Sequence, residues 1–537
     1  MYRVTLFFIF ALIAKYNFSQ NSLVTINYSN GKIQSIGKFN IAGKEDSIWN
    51  YYYESGNLQE TTHYLNGYMH GKCIRYFENG KIQNEGFFLF GVADSIMKSF
   101  NAEGVLIEEG IYSKGDRIGD WKFYFDSGKL NMIVNYSAKG SLIMTYFNAE
   151  GVQFIRDGNG EIVEYHESGQ IKSTLSYQGG LPHGKFQSYF SNGIMESKGE
   201  YSHGVKIGAW VSNFTDGKTK SSTTYTNGLV TGPYEEYFQS EQPHVIGEFN
   251  NGEKTGFWKW FRENGEVDME GNFRNNLQDG EWTYYHLNGV WQSKGNFSEG
   301  KLEGFWKYQY PSEKKWKEGQ FKADKKEGEW ANWYENGQIL QKGIYKNGEE
   351  NGKWTSWYEN GKIKDEGSFK NGKMWGKWKG YEPRNGYLLY SGSWHEDLKV
   401  GHWENYSEKG RLETIMNYNN EGKLHGKQII YSDNRIKVSE GNFKNGTRSG
   451  KWEYYFDFGG LWRKCEYKNG GLDGHSITYT ENGMIEEDVH YKDNKYHGEC
   501  VFYDRKTGVL KERGIFEDGK MVKFLEGNPG SAKKRTQ

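Results

Sequence analysis

The stretch that decides the fold is residues 352–372, which read GKWTSWYENGKIKDEGSFKNG. The rest of the chain repeats this pattern with a period of 24 residues, and six tryptophans in successive repeats keep that spacing: Trp258, Trp282, Trp306, Trp330, Trp354 and Trp378. Other bulky residues continue the spacing in both directions, so the chain contains about 21 repeats. A fixed period of this kind is typical of an array in which each repeat contacts mainly its neighbours.

Each repeat has the pattern of a β-hairpin. Asn360-Gly361 lies between two runs of alternating and aromatic residues, which predicts a two-residue type I′ turn because both central residues need positive φ. Asn371-Gly372 supplies a second turn. A two-residue loop at Asn360-Gly361 predicts these cross-strand pairs: Tyr358 with Ile363, Ser356 with Asp365, Trp354 with Gly367, and Gly352 with Phe369.

The same register places a glycine opposite the indole of each hairpin. A residue without a side chain leaves room for the ring lying across it. The predicted pairs are Trp258 with Gly271, Trp282 with Gly295, Trp306 with Gly319, Trp330 with Gly343, and Trp354 with Gly367. These residues form the predicted structural core of the repeats, on one face of the sheet, together with a tyrosine such as Tyr358 and a second aromatic such as Phe369.

The opposite face is polar except at the position of Trp357, which is aromatic in most repeats. Either a bulge turns this side chain inward, or the sheet carries an aromatic stripe on its outer face. Such a stripe could stack on sugar rings or receive a partner's apolar side chains, or neighbouring lysine stems could cover it, as Lys364 would cover Trp357. The candidate binding stripe comprises Phe261, Tyr285, Trp333, Trp357, Tyr381 and Tyr406.

A single 24-residue repeat cannot bury enough surface to fold alone, since an isolated hairpin is marginally stable at best. The sequence therefore predicts an all-β fold: a single-layer antiparallel β-hairpin solenoid, an extended twisted meander of about 21 repeats and roughly 200 Å long if uncurved. Spacings shorten between residues 144 and 161, which predicts a bend there.

The organisation predicted along the chain has five parts. Residues 1–20 resemble a secretory signal peptide, with Arg3 followed by a short apolar run, although an uncleaved membrane anchor is the alternative. Repeats follow at 21–143, an irregular truncated repeat at 144–161, the main array at 162–527 and a polar tail at 528–537. The ending Phe18-Ser19-Gln20 is similar to export signals of Bacteroidetes-type bacteria. We expect an exported protein that is periplasmic, associated with the outer membrane or extracellular, with no integral membrane segment after signal cleavage.

The amino-acid composition excludes some classes of binding partner. The 68 Lys and Arg residues against 69 Asp and Glu leave a net charge of −1, which argues against nucleic acid or an anionic membrane as the partner. Gly numbers 71 and Pro only 6, so the glycines serve turns and ring clearance rather than disorder. We expect a monomer. The three cysteines, Cys73, Cys465 and Cys500, are expected to be packed free thiols.

The sequence contains no catalytic signature. The four His-Gly dipeptides, at His70, His183, His425 and His497, share one repeat position, which favours a structural role over metal binding. Glutamates before the Asn-Gly turns lie one repeat apart, too far for paired acid–base work or calcium coordination: Glu78, Glu263, Glu335, Glu359 and Glu481. No phosphate loop or Gly-x-Ser-x-Gly motif occurs. We therefore predict no enzyme activity, no metal and no cofactor.

The recurring Gly-x-Trp-x-x-Tyr-x-x-Asn-Gly-x-Ile, followed by Gly-x-Phe-x-x-Gly, resembles the MORN-repeat variant that is abundant in bacteria. The resemblance covers almost all of the chain after residue 20. It implies stacked β-hairpins and no enzyme activity, and some relatives are described as antitoxins. Choline-binding repeats are also similar, but their units are shorter.

These observations predict a scaffold or recognition surface for an unknown protein partner. The alternatives are glycan or cell-wall binding through the aromatic stripe, and antitoxin-like neutralisation of a partner protein.

Overall fold

The computed structural model describes residues 22–138 and 140–527. The predicted signal peptide at 1–20 and polar tail at 528–537 lie outside the described residues. The chain divides into two compact units, Met1–Glu253 and Lys254–Gln537, each of which is described by itself. The unit boundary falls inside the predicted 162–527 array, and the bend at 144–161 stays a prediction.

Every regular element of the described residues is a β-strand. The strands of the first unit are β1 (Val24–Asn27), β2 (Ile33–Phe39), β3 (Glu45–Tyr52), β4 (Leu58–Leu65), β5 (Tyr68–Tyr76), β6 (Ile82–Leu89), β7 (Val92–Phe100), β8 (Leu106–Ser113), β9 (Asp116–Tyr124), β10 (Leu130–Ser137), β11 (Gly140–Phe147), β12 (Gln153–Arg156), β13 (Asn159–Tyr165), β14 (Ile171–Gln178), β15 (Leu181–Tyr189), β16 (Met195–Ser202), β17 (Val205–Asn213), β18 (Thr219–Thr226), β19 (Leu229–Tyr237) and β20 (Pro243–Asn250).

The second unit continues the same pattern, and β21 begins at the last residue of the first unit. Its strands are β21 (Glu253–Phe261), β22 (Val267–Arg274), β23 (Leu277–Tyr285), β24 (Trp291–Ser298), β25 (Lys301–Gln309), β26 (Lys315–Lys322), β27 (Lys325–Trp333), β28 (Ile339–Lys346), β29 (Glu349–Trp357), β30 (Ile363–Lys370), β31 (Lys373–Tyr381), β32 (Leu388–His395), β33 (Leu398–Tyr406), β34 (Leu412–Tyr418), β35 (Gly426–Tyr431), β36 (Lys437–Lys444), β37 (Thr447–Tyr455), β38 (Leu461–Lys468), β39 (Gly471–Tyr479), β40 (Ile485–Lys492), β41 (Lys495–Tyr496), β42 (Gly498–Tyr503), β43 (Leu510–Glu517) and β44 (Lys520–Gly527).

Within each unit, successive strands pair antiparallel with their neighbours in the chain, so each unit is an open meander of hairpins. The short β41 and the following β42 share β40 as their partner. This arrangement confirms the predicted all-β fold of antiparallel hairpins.

The hairpin β29–β30 has most of the predicted register and one difference. Trp354 pairs with Gly367, Ser356 with Asp365, and Gly352 with Phe369, as expected. The predicted pair of Tyr358 with Ile363 is wrong, because the register shifts by one residue and Trp357 pairs with Ile363 instead.

This shift follows from the loop that joins the two strands. The Gly361 N–H donates to the Tyr358 carbonyl at 2.9 Å and the Tyr358 N–H to the Lys362 carbonyl at 2.8 Å. Gly361 has φ +82°, whereas Asn360 is not among the residues with positive φ. The predicted type I′ turn at Asn360-Gly361 is therefore wrong: the loop is a type I turn followed by a glycine bulge, the usual three-residue hairpin connection.

The second turn has the type I′ geometry. Asn371 and Gly372 have φ values of +51° and +75°, and Lys370 pairs with Lys373 across the loop. Asparagine and glycine are the residues that tolerate these conformations best. The repeat therefore alternates between two kinds of turn, one at each end of the strands.

The indole that lies across each glycine comes from the following hairpin. A Cβ atom at Gly367 would lie 2.0 Å from Cδ2 of Trp378, and one at Gly271 would lie 2.3 Å from Cδ2 of Trp282. The ring expected over Gly367 was that of Trp354, which pairs with it but does not cover it. The same contact occurs at ten glycine–tryptophan pairs: Gly37–Trp49, Gly110–Trp121, Gly199–Trp210, Gly271–Trp282, Gly295–Trp306, Gly319–Trp330, Gly343–Trp354, Gly367–Trp378, Gly392–Trp403 and Gly441–Trp452.

Beside nine of these ten rings, a bulge frees a carbonyl of the neighbouring strand that the indole then binds, whereas Trp210 donates to the Ile207 carbonyl of its own strand. In β22 and β23, Gly271 pairs with Trp282 and Asn272 with Asp279, so two residues of β23 have no partner in β22. One of them, Gly280, has φ +73°. The Trp282 Nε1–H donates to the Asn272 carbonyl at 2.9 Å. The side chain thus satisfies an acceptor that the interrupted ladder leaves open.

The core of the second unit contains a row of rings on one face of the sheet, which Gln428, Ser476 and Cys500 interrupt at the tryptophan position. Trp330 packs edge-on against Phe321 at 5.0 Å and Tyr345 at 6.2 Å between ring centres, and Trp354 packs against Tyr345 at 5.3 Å. Perpendicular contacts of this kind suit the charge distribution of aromatic rings. The indoles are 1 to 8% exposed at Trp258, Trp282, Trp306, Trp330, Trp354 and Trp378.

The truncated repeat of the first unit keeps its strands paired. The four-residue β12 pairs with β11 and with β13, and Ile155 in it is fully buried. Gly160 approaches so closely that a Cβ atom would lie 1.9 Å from the Phe154 carbonyl oxygen. The local shortening is therefore accommodated by glycine rather than by loss of strand pairing.

The three cysteines are free, and Cys465 and Cys500 are buried. Burial, followed by the nearby Glu60 carboxylate, raises the pKa of the Cys73 thiol to about 11. No part of residues 22–138 or 140–527 forms a helix long and apolar enough to cross a membrane.

Candidate functional site on the outer face

The candidate binding stripe lies on the face opposite the core tryptophans. We call the side that carries Trp354 and Gly367 the aromatic face, and the side that carries Thr355 and Glu366 the outer face. Along β29, Trp357 follows Thr355 by two residues and so points to the outer face. In the next repeat, the Tyr381 hydroxyl donates to Glu366 at 2.6 Å, which places it on the same face.

All six predicted stripe residues are half-buried. We call them the outer-face stripe: Phe261, Tyr285, Trp333, Trp357, Tyr381 and Tyr406. The bulge in β30 does not turn Trp357 inward, because the extra residue lies on the opposite strand. Gln309 occupies the same position between Tyr285 and Trp333 and is only 6% exposed, so the stripe is interrupted there.

The backbone under the stripe is fixed by tyrosines of the preceding turns. The Tyr310 hydroxyl donates to the Trp333 carbonyl at 2.9 Å, and the Tyr334 hydroxyl donates to the Trp357 carbonyl at 3.0 Å. Tyr358 does the same to Tyr381 at 2.9 Å. Tyr358 was expected on the aromatic face; it lies instead in the turn, where it joins two repeats. These bonds hold the stripe residues at fixed positions relative to one another.

Carboxylates and lysines surround the tyrosines of the stripe. The Tyr285 hydroxyl donates to Glu270 at 2.6 Å, and Glu270 also pairs with Lys259 at 2.9 Å. Burial, and then the Glu270 carboxylate, raises the pKa of Tyr285 to about 12. Burial alone would raise the pKa of Glu270, but the bonds from Tyr285 and Lys259 outweigh it and lower that pKa. The hydroxyl thus stays a donor and the carboxylate an acceptor at neutral pH.

Lysine stems cover part of the stripe but not in the way the sequence predicted. Lys315 Nζ lies 5.0 Å from the ring centre of Trp333, and Lys259 Nζ lies 5.6 Å from that of Phe261. Lys364, expected over Trp357, has its Nζ 6.0 Å from the ring centre of Tyr358. Cation–ring contacts of this length are weak at exposed positions. The rings therefore keep part of their surface open to a partner.

A depression of about 340 Å³ lies at Ala331, two residues before Trp333 in β27. Ala331 lies at its base and is 9% exposed, and Phe305 at its rim is 43% exposed. The other lining residues are Glu318, Gln320, Gly328 and Glu329. Sequence reasoning missed this feature, although a signal was present: Ala331 stands where the adjacent repeats have Lys307 and Thr355. The smaller side chain leaves the depression unfilled.

The four His-Gly histidines differ in their contacts: the Nδ1 atoms of His70, His183 and His497 are buried and have no hydrogen-bond partner among the described residues. His425 Nδ1 lies 3.4 Å from the Asn445 N–H, in a turn of the following repeat. Glu335 and Glu359 are exposed residues of turns. Among the residues that the structure describes, no group of three or more His, Cys, Asp or Glu side chains is placed to hold a metal ion.

A second depression, of about 430 Å³, lies in the second unit. It is lined by Lys468, Asp473, Gly474, His490, Tyr491, Lys492, His497, Gly498 and Glu499. Its open, mixed-charge lining contains none of the stripe residues.

Comparison with known proteins identifies one family. The model of the MORN repeat variant matches ten segments: residues 45–66, 69–89, 117–138, 158–178, 182–203, 278–299, 326–347, 350–371, 448–469 and 472–493. Together these segments hold fewer than half of the residues, and they occur in both units. No curated protein sequence matches the chain.

The chain also matches solved structures, of which two are distant in sequence and in structure. One is described as "Crystal Structure of TcdB2-TccC3-TEV", at 10% identity, a TM-score of 0.13, and coverage of 96% of this chain and 28% of that chain. Another is a Photorhabdus luminescens Tc holotoxin pore, at 10% identity, a TM-score of 0.12, and coverage of 94% and 32%. This chain thus spans less than a third of the chains it matches, and TM-scores this low carry no conclusion about its fold or function.

Proposed function

The chain is a MORN-repeat-variant protein, and from that premise we propose that it is a non-enzymatic scaffold whose outer face recognises a protein partner. Repeats of this family are commonly binding modules, which supports a scaffold. The observation that carries the proposal is the outer-face stripe, a row of half-exposed aromatic residues held on a fixed backbone.

The surroundings of the stripe suit a protein partner. Buried aromatic side chains supply most of the energy of protein interfaces, and a polar rim sets their specificity. Trp333 and the adjacent depression at Ala331 offer a place for an apolar side chain, while ion pairs such as Lys342–Glu329 at 2.6 Å form a charged rim. The repeated spacing lets one extended partner contact several repeats. An antitoxin-like protein that neutralises its partner would use the same surface.

The test is capture of partners by the purified full-length protein from the periplasmic and outer-membrane fractions of its source cells. We expect Trp333→Ala combined with Trp357→Ala to abolish specific capture. Leu287→Ala is the matched control, since Leu287 is 82% exposed and lies in a turn outside the stripe. Equal capture by the stripe variant and the wild type would contradict the proposal.

Glycan binding through the same stripe is the second candidate. Half-exposed rings flanked by Glu270, Glu366 and their lysine partners could stack on sugars while carboxylates accept hydroxyl hydrogen bonds. Retention on insoluble cell-wall polysaccharide that is lost in the Trp333→Ala, Trp357→Ala variant would favour this candidate over a protein partner.

We also propose that the protein acts outside the cytoplasm and without catalysis. The support for export is the sequence of residues 1–20, and the support for the absence of catalysis is the lack of any catalytic motif. Amino-terminal sequencing of the protein recovered from cell fractions tests export: an intact Met1 in the cytoplasmic fraction would overturn it. Turnover of generic hydrolase substrates would overturn the second part.

A further inference from the structure

The first unit carries a row of apolar side chains that crosses β6 to β9, with one residue from each strand. Ile96 pairs with Ile111, and Ile111 pairs with Ile118, so these three side chains are neighbours on one side of the sheet. Phe87 continues the row in β6, where it has the repeat position of Ile111, 24 residues later. We call these four residues the β6–β9 row: Phe87, Ile96, Ile111 and Ile118.

The β6–β9 row points away from the buried tryptophans of the first unit. Gly110 lies under the Trp121 ring, so Ile111, the next residue along β8, points to the opposite side of the sheet. The side chains of the row are exposed: Phe87 by 39%, Ile96 by 58%, Ile111 by 44% and Ile118 by 42%. Contiguous exposed apolar side chains mark a binding surface, whereas single ones need no explanation.

The row is a local departure from the repeat. At the equivalent positions of β36 to β39 the side chains are polar or charged: Asn442, Lys451, Glu466 and Asp473. The hairpins form in both places, so strand pairing does not require apolar residues at these positions.

The turn that joins β6 to β7 extends the apolar surface past Phe87. Leu89 is 40% exposed, Val92 is 44% exposed and Phe90 is 61% exposed. Phe90 has φ +50°, a left-handed conformation that is unfavourable for a bulky side chain. Five other type I′ turns have asparagine at this position: Asn66, Asn227, Asn251, Asn347 and Asn371. The Phe90 ring leans on His70 at 4.7 Å between ring centres, yet remains exposed. An exposed aromatic residue in a strained conformation indicates a role for its side chain in binding.

Two exposed carboxylates lie at the Ile118 end of the row. Asp116 and Asp120 stand two residues before and after Ile118. Asp120 accepts a bond from the neutral Asn135 amide at 2.7 Å, and among the described residues neither carboxylate is in an ion pair. The lysines near the row do have carboxylate partners: Lys72 pairs with Glu85 at 3.2 Å, and Lys98 and Lys122 pair with Glu109 at 3.6 and 3.7 Å. This end of the row therefore favours a cationic group and disfavours an anionic lipid surface.

The spacing of the row matches an α-helix that lies across the strands. Neighbouring strands are about 4.8 Å apart, so the four side chains extend over about 14 Å. A helix rises about 1.5 Å per residue, so apolar residues at i, i+4, i+7 and i+11 extend over about 16 Å on one side of it. Four same-side residues of an extended strand would cover about 20 Å and would lose register with the row.

We propose that the β6–β9 row binds an amphipathic α-helix of a partner protein, with a lysine or arginine of that helix at the Ile118 end. The apolar side of the helix covers the four exposed side chains, and its cation pairs with Asp116 and Asp120. This surface belongs to the first unit and contains none of the outer-face stripe residues, so it goes beyond the proposed function.

The test is fluorescence anisotropy of labelled peptides titrated with the full-length protein. The probe is an alanine-rich helical peptide with leucine at positions i, i+4, i+7 and i+11 and two arginines at one end. One comparison peptide has the same composition with its leucines at alternate positions, and another has glutamates in place of the arginines.

We expect Ile96→Asn combined with Ile111→Asn to weaken binding of the probe by at least about tenfold. Ile344→Asn is the matched control, because Ile344 has the repeat position of Ile111 and is 42% exposed. This control should change binding by less than about twofold. Asp116→Asn combined with Asp120→Asn should remove the preference for the arginine peptide over the glutamate peptide.

Thermal unfolding checks that each variant is folded, and the Ile→Asn variants should unfold at the wild-type temperature because their side chains are exposed. The Trp333→Ala, Trp357→Ala variant should bind the probe normally. Failure of the outer-face proposal and failure of this one are therefore distinguishable.

Three results with the peptides would overturn the proposal: no binding of the probe to the wild type, equal binding of the alternating peptide, or an equal loss in Ile344→Asn. Binding of the wild type to phosphatidylethanolamine–phosphatidylglycerol vesicles that is lost in the Ile96→Asn, Ile111→Asn variant would also overturn it, since the row would then contact lipid. A wild-type dimer in analytical ultracentrifugation that the same variant loses would assign the row to a second copy of the chain instead.

Discussion

At Gly367, the missing side chain is what lets one hairpin receive the next. The glycine pairs with Trp354 on one side, but the ring that lies against its Cα belongs to Trp378 on the other. The Trp378 Nε1–H then donates to the Ser368 carbonyl at 3.0 Å. A glycine and an indole from different hairpins therefore form one joint, with both packing and a hydrogen bond.

Gly367→Val should destabilise the protein by more than about 1 kcal/mol, because the new side chain collides with the Trp378 ring. The structure also predicts which second substitution relieves the collision. Trp378→Ala should recover part of the loss when combined with Gly367→Val, whereas Trp354→Ala should not. Thermal unfolding of the two double variants measures this recovery. Equal recovery in both would contradict the conclusion that the new side chain collides with Trp378 rather than with Trp354.

Glu440 is a carboxylate whose ionisation supports the fold. It accepts bonds from Lys437 Nζ at 2.7 Å and lies 3.0 Å from Lys427 Nζ. The bond from Lys437, which outweighs burial, lowers the pKa of Glu440 from 4.5 to about 2. Because the folded-state pKa is depressed, the stabilisation is present above pH 4.5 and is lost as the pH falls towards 2.

Glu440→Gln should therefore lower the melting temperature at pH 7. It should also reduce the further drop in melting temperature between pH 5 and pH 2.5, because the stabilisation by the Glu440 carboxylate is lost between its pKa values of 4.5 and about 2. Thermal unfolding across that range compares the variant with wild type. Glu359→Gln, which removes an exposed turn carboxylate, should follow the wild-type curve. An unchanged pH dependence in Glu440→Gln would show that the ion pair does not contribute.

At the scale of the hairpin, the two turns show what sequence patterns can and cannot predict. Both Asn360-Gly361 and Asn371-Gly372 have the same dipeptide, yet only the second adopts the type I′ turn. The dipeptide specifies that a turn occurs, but the loop type depends on how the strands leave it. Tyr358 lies in the first loop and bonds to the next repeat through its hydroxyl, a contact that pairwise sequence reasoning within one hairpin cannot show.

The same limit applies to the candidate sites. Alternation placed the outer-face stripe on the correct side, because side-chain direction follows directly from strand periodicity. Strand periodicity did not predict the depression at Ala331, because its size depends on the side chains of three neighbouring strands together.

The type I′ turns offer a test at this scale. Ala323 has φ +47° at a position where other repeats have asparagine, as at Asn347 and Asn371. Asparagine tolerates this left-handed conformation better than alanine, so Ala323→Asn should stabilise the protein by roughly 0.5–1 kcal/mol. Its backbone N–H bond to Glu303 at 2.9 Å is kept.

Chemical denaturation measures the change, and Ala102→Asn is the control. Ala102 lies in a turn of the other type and is not among the residues with positive φ, so the same substitution should have little effect there. A gain at Ala102 equal to that at Ala323 would mean that turn conformation is not the cause.

At the scale of the molecule, the repeat of 24 residues is the unit that can be removed. Deleting residues 329–352 joins Gly328 to Lys353 and restores the Gly-x-Trp pattern at Trp354. Because each repeat contacts mainly its neighbours, the remaining hairpins of the second unit should pair as before.

Hydrogen exchange read by mass spectrometry would check this in the strands that flank the deletion. We expect β26 and β30, the partners of the joined strand, to stay as protected as in the intact protein. Deleting only residues 341–352 removes one strand and its turn, so Leu340 would join Lys353 without a reversal of direction, and protection of the flanking strands should fall. Equal protection after both deletions would show that the strands do not depend on repeat phase.

The glycine–indole joint also bears on how a gene for such a chain can change length. Every repeat of this kind carries one half of the joint for its predecessor, the tryptophan, and the other half for its successor, the glycine. A tandem duplication of 24 codons, wherever it starts, therefore copies both halves in the order needed and creates no new junction to be optimised. Point substitutions at either partner affect two repeats at once, and so does a substitution of Tyr381 on the outer face, whose hydroxyl donates to Glu366 of the preceding hairpin. The number of repeats can thus grow or shrink by unequal recombination without a new joint between hairpins having to arise.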